Sequence, residues 1–169
     1  PEWFFVLGQG EVLGVPTQLW IFLACAVVAA IVLGMSTFGR ATYATGANIV
    51  AARFSGIPVD RTILLIYTAS GLIAGLAAII FVSRVSTTRS DMGTGLELDV
   101  ITAVVLGGTS IFGGRGTIIG TLLGLILMQA LKNGLALAGV KGDGTIVVIG
   151  LILIATIIIS NLVRRDTDG

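Results

Sequence analysis

The chain has 169 residues, 55% of them hydrophobic and 11% charged, and its mean hydropathy of +1.05 is far above what a water-soluble core requires, which assigns it to a bilayer. A formal charge of +1, with no basic run interleaved with aromatics, excludes a nucleic-acid partner. The absence of histidine excludes His-based triads and His-ligated metal sites, and the lone Cys25, in an apolar run, excludes a disulfide framework and reads as a small packing residue.

Charges punctuate the sequence and leave five uncharged or nearly uncharged stretches, read as membrane segments because a helix needs roughly 20 apolar residues to cross. Residues 1 to 16 lack the basic n-region of a signal peptide, and a chain opening at Pro1 is expected to be a piece of a longer protein. The first segment lies between Glu11 and Arg40, with its apolar centre from Leu19 to Met35, and Trp3, Phe4, Phe5 and Trp20 flank it as an interfacial belt. The second, Thr62 to Ser83, is bracketed by Arg61 and Arg84. The third, Val100 to Gly114, spans roughly 22 Å at about 1.5 Å per residue, short of a core of about 30 Å, and is expected to be short, broken or re-entrant. The fourth runs from Thr117 to Leu137 if Lys132 snorkels or faces the protein interior, and the fifth from Thr145 to Val163. The expected fold is all-α: a polytopic transmembrane helical bundle, four full spans plus one short or re-entrant helix, forming a single region over residues 1–169.

The basic residues orient it. With the loop from Gly39 to Arg61, the turn at Arg115 and the tail at Arg164 on the cytoplasmic side, that side carries Arg40, Arg53, Arg61, Arg115, Arg164 and Arg165. Arg84, Arg89, Lys132 and Lys141 then lie toward the other side. Gly71 and Gly75 are spaced as GxxxG, and Gly116, Gly120 and Gly124 extend the same spacing, giving smooth faces for helix packing or for a subunit interface.

The loop GRATYATGANIVAARFSGIPVDR, residues 39 to 61, sets a short amphipathic stretch between two apolar spans. Asn48 is placed to cap a short helix through Ile49, Ala51, Ala52 and Arg53, which Gly56 to Pro58 would stop. With Ala51, Ala52 and Ile57 available, such a helix is either a docking knob for a cytoplasmic motor or a solvated connector obeying the positive-inside rule. The loop RVSTTRSDMGTGLELD, residues 84 to 99, is the natural extracytoplasmic face, where Arg84, Arg89 and Asp91 are placed to pair with a docked protein or simply to be hydrated. Glu97 and Asp99 mark either a pathway entrance or a structural pair with Arg115 or Lys132. Thr102, Thr109, Ser110, Gln129 and Asn133 offer hydroxyls and amides to a neutral polyol, and equally suit tight packing.

The string GANIVAARFSGIPVDR resembles the cytoplasmic coupling segment of the ribose-type ABC permease family, G-x-N-x-x-A-A-R-x-S-G-I-x-V-x-R, matching at Gly46, Asn48, Ala51, Ala52, Arg53, Ser55, Gly56, Ile57, Val59 and Arg61, with Asp60 inside the block. AVVLGGTSIFGGRGTIIGTLLG, from Ala103 to Gly124, is similar to that family's AVVLGGTS-x-x-GGRG-x-x-x-GT signature, and Asn133-Gly134-Leu135 with Gly139-Val140 to its NGL-x-x-x-GV stretch. The resemblance covers residues 39 to 145 and implies the C-terminal half of a permease, with residues 41–61 as the coupling segment. It implies a bacterial-type inner-membrane, multi-pass subunit that imports a sugar, is not itself an enzyme and needs no cofactor. Its implied partners are a second permease chain, identical or related, a cytoplasmic ABC ATPase, an extracytoplasmic sugar-binding protein and the lipid bilayer. The chain has no GxxxxGK[ST] phosphate loop, so ATP would be bound by another subunit. A branched-chain amino-acid ABC permease is the nearest alternative, and the GGTS and GGRG strings favour the sugar branch. An ATPase-independent channel or carrier would want ionisable relays inside the spans, and four of the five segments lack any central ionisable residue.

Overall fold

The computed structural model describes residues 8–12, 14–85, 93, 95–140 and 142–167, with side chains in the last helix described over 144–158. Internal packing divides the chain into two compact units, Pro1–Met92 and Gly93–Gly169.

The first unit carries a minimal hairpin, β1 (Glu11–Val12) antiparallel to β2 (Val15–Pro16), Val12 opposite Val15. It leads into α1 (Thr17–Met35), where the amide and hydroxyl of Thr17 both donate to the Gly10 carbonyl at 2.9 Å. No residue of α1 is buried within the unit. A helix apolar on every side and exposed along its length is one that lipid or other protein surrounds.

The chain does not run on to Arg40 as one span. Ser36 is extended and breaks the helix, its hydroxyl accepting from the amide of Gly39 at 3.0 Å to cap α2 (Thr37–Ala47). At Gly39 a methyl group would strike the backbone of Leu33, so α2 folds directly against the end of α1. Asn48 breaks the chain again and α3 (Ile49–Phe54) follows, then α4 (Val59–Val85). The segment expected as a loop with one short helix capped by Asn48 therefore holds two, because Ser36 supplies a further N-cap that the apolar pattern alone does not reveal. The 27 residues of α4 span about 40 Å, more than a bilayer core.

The second unit packs α5 (Leu96–Leu106), α6 (Ile118–Leu137) and α7 (Gly142–Thr167). Helices α5 and α6 run antiparallel at backbone contact. Gly107 lies against Gly120, and a methyl group at Gly124 would fall 2.8 Å from the Gly107 amide nitrogen and nearer still to the Ala103 carbonyl. Ala103, Met128 and Ile149 form the buried core, with Leu131 against it. Gly116 packs on Thr109. The glycine spacing from 116 to 124 thus serves packing within the unit, whereas Gly71 and Gly75 on α4 face open space there.

Helices α1, α4 and α6 are long and apolar enough to cross a membrane. The expected fourth full span falls in α7, whose described apolar stretch is Gly144–Ile158. The third segment is helical over only 11 residues, about 16 Å. It stops at Gly107–Gly108 and turns back through Gly113 and Gly114, so it is a short helix hairpinned onto α6.

Candidate functional site

Helix α3 is built from both ends by local chemistry. The Asn48 side chain accepts from the Ala51 amide at 3.0 Å, filling one of the first-turn donors that no helix satisfies internally. At the other end Gly56 adopts φ +80°, its amide donates to Arg53 O at 3.1 Å, and the Ile57 amide donates to Ala52 O at 3.1 Å. This pair of bonds is a Schellman stop, which needs the left-handed residue that glycine supplies without strain. Pro58 follows, and α4 starts at once with Val59 buried beneath the turn. Arg53 and Asp60 clasp the turn from outside, Nη2 to Oδ1 at 3.0 Å.

The result is a two-helix elbow with a defined outer face. Ala52 is only 4% exposed, so it belongs to the underside and is not available for docking. Ile57 is half-buried and Ala51 exposed. The outer apolar surface is instead Ile49, Val50 and above all Phe54, which is 90% exposed. Phe54 stands two residues, about 200° of helix, from buried Ala52. That spacing is in the sequence, and fixing the inner face on Ala52 would have revealed it. Gly46, Asn48, Arg53, Ser55, Gly56, Asp60 and Arg61 are exposed around the elbow.

Among the residues expected on the opposite face, Arg84 lies on the last turn of α4, not in a loop, and donates through Nη1 to Gln18 Oε1 at 3.3 Å. Arg89 and Asp91 lie outside the described residues. Glu97 and Asp99 belong to the first turn of α5. Asp99 pairs with Lys132 of α6, Oδ2 to Nζ at 2.5 Å, so Lys132 faces the interior of its unit. Glu97 is exposed.

Of the hydroxyls and amides expected along a polar path, Thr102 is fully buried, and its Oγ1 donates to the Leu98 carbonyl at 2.7 Å. It is satisfied by its own helix and does not line an open surface. Thr109 is half-buried against Gly116, and the Ser110 amide closes the glycine turn on Arg115 O at 2.9 Å. Gln129 and Asn133 are exposed on α6. Among the described residues no cluster of acidic or cysteine side chains is arranged to hold a metal.

Comparison with known proteins decides the family. A family model described as branched-chain amino acid transport system / permease component matches residues 2–157. The chain belongs to this permease family. It is 43% identical over 159 residues to the ribose import permease protein RbsC of Escherichia coli, covering 94% of this chain and 49% of that one. It is 41% identical to the corresponding ribose permease of Bacillus subtilis, over 92% of this chain and 48% of that one. Identity to the L-arabinose transport system permease protein AraH of Escherichia coli is 40%, over 93% and 48%. Each of these relatives is named for the transport of a sugar. The chain spans about half the length of these curated relatives. No solved structure matches it.

Proposed function

We propose that this chain forms half of the transmembrane permease of an ABC importer that carries a monosaccharide across a bacterial-type inner membrane. The observation that carries the reading is the α3 elbow. A six-residue helix too short to be stable by itself in water is locked at both ends by its own cap and stop, and it turns an exposed Phe54 outward beside a membrane-crossing helix. In this reading α3 fits a groove of a cytoplasmic ATPase. Force on it passes through the Gly56 turn into α4, and the spans move as rigid bodies to alternate access. A second permease chain completes the pathway, and an extracytoplasmic binding protein delivers the solute near Arg84, Arg89 and Asp91. The sugar class rests on the ribose and arabinose named for the relatives. The branched-chain amino acid of the family description supports the second reading.

Cross-linking tests the orientation and the partner together. In the complete permease assembled with its ATPase and binding protein, Val50→Cys is expected to cross-link to the ATPase. A cross-link to the binding protein instead would invert the topology and overturn the coupling role.

A further inference from the structure

The Asp99–Lys132 pair joins α5 to α6 part-way along α6, a helix long and apolar enough to cross a membrane. Helix α6 has 20 residues, about 30 Å, the thickness of a bilayer core. Lys132 is more than one turn in from its C-terminal end. The contacts of Ala103 with Gly124 and of Gly107 with Gly120 fix the antiparallel register. Carried back one turn, that register sets Asp99 opposite Met128, deeper than Lys132. Charged groups at this depth persist only when they are paired or line a watery space. Here the two are paired. The side chains keep 33% and 21% of their surface exposed, and they line an open cavity of about 350 Å³ together with Gly95, Ala136, Val140 and Thr145.

Such a cavity has the volume of a small-molecule site, which runs from roughly 300 to 1,000 Å³. Lys132 spends one of its three ammonium donors on Asp99 Oδ2, and the Asp99 carboxylate keeps acceptor positions at Oδ1. The exposed edge of the pair therefore presents donor and acceptor side by side with no net charge. Two neighbouring hydroxyls, each able to donate and accept, complement that edge without separating the ions. A solute with net charge would leave an unbalanced ion in the cavity. Ala136 and Val140 offer apolar wall to the C–H faces of a ring.

We infer that the Asp99–Lys132 cavity is a transient binding site for a neutral polyhydroxylated solute within the permease, with Asp99 accepting from one hydroxyl and Lys132 donating to its neighbour. This rests on the sugar-permease reading, and it adds the site and the two residues that contact the solute.

The test reads occupancy directly. The complete permease, with native cysteines replaced and Ala136→Cys on the cavity wall, is reconstituted in proteoliposomes with its ATPase and binding protein. An aqueous methanethiosulfonate reagent labels the cysteine in the presence of ribose, arabinose, glucose or leucine, and uptake of each solute is measured on the same vesicles. The expected result is labelling slowed by a sugar and not by leucine. Lys132→Met should raise the sugar concentration needed for that protection by roughly tenfold, the loss of one charged hydrogen bond, with Lys132→Arg restoring it. Protection in the unaltered-pair background is decisive by itself, so a poorly inserting Lys132→Met variant leaves the test standing. A cysteine that no aqueous reagent labels, or labelling that no sugar slows while sugar uptake proceeds, overturns the site and leaves the sugar reading intact. Protection and uptake by leucine alone overturn both.

Discussion

Arg53 at the end of α3 and Asp60 at the start of α4 form an ion pair, Nη2 to Oδ1 at 3.0 Å, across the turn where the two helices meet. Both side chains are mostly exposed, at 63% and 88%, so the pair contributes about 1 kcal/mol at most to stability. Asp60→Asn is therefore expected to leave thermal stability in detergent almost unchanged. Arg53→Glu places two like charges at the turn and reverses the charge offered to the ATPase. It should insert normally while ATP-driven uptake falls roughly tenfold. Normal uptake by Arg53→Glu would remove Arg53 from the coupling surface.

Gly56 sits at φ +80° in open space. A substitution there meets no neighbour, and its cost is backbone strain of about 1–2 kcal/mol. Gly56→Ala is expected to lower the melting temperature slightly. Gly56→Trp adds a large group beside the docking face and should separate ATP hydrolysis from uptake, with hydrolysis persisting and solute transport lost.

Phe54 buries almost nothing within its unit. Phe54→Ser should thus leave folding intact and weaken association with the ATPase by roughly 30-fold, the loss of an aromatic anchor of about 2 kcal/mol. Affinity in nanodiscs by surface-immobilised binding checks this, and unchanged affinity would move the interface elsewhere on the elbow.

The two glycine series should respond in opposite ways. Gly124→Val drives its side chain into the Ala103 carbonyl and the Gly107 backbone, and it should destabilise the α5–α6 hairpin by about 1–3 kcal/mol. Gly75→Val meets nothing within its unit. Limited proteolysis of the two variants in the same nanodiscs is expected to expose Gly124→Val first. If Gly75→Val were the more sensitive, α4 would carry a close contact outside its own unit.

Much of this architecture was legible in the residues because lipid imposes a simple rule: spans are long, apolar and bounded by charge. Leu19 to Met35 and Thr62 to Ser83 fall inside α1 and α4, and the fourth segment, expected from Thr117, starts with that residue as the N-cap of α6. The α3 helix was legible too, since Asn48 and Gly56 act through their nearest neighbours. Helix α2 was not, because residues Gly39 to Gly46 show no apolar period, and what makes them helical is the Ser36 cap and the close fit of Gly39 on Leu33. The inward face of α3 depended on tertiary packing over Ala52 and Val59, so the exposed Phe54 went unnoticed. Lys132 and Arg115 were equal candidates to neutralise Asp99 until the register of α5 on α6 chose Lys132.

The central claim, that this chain is part of an ATP-driven sugar permease, is tested most directly by uptake. Proteoliposomes holding the complete permease, its ATPase and its binding protein are given labelled pentoses, hexoses, deoxyhexoses and branched-chain amino acids. Accumulation of one sugar that stops when ATP is withheld is the expected result. Accumulation of an amino acid alone, or sugar flux indifferent to ATP, would contradict it.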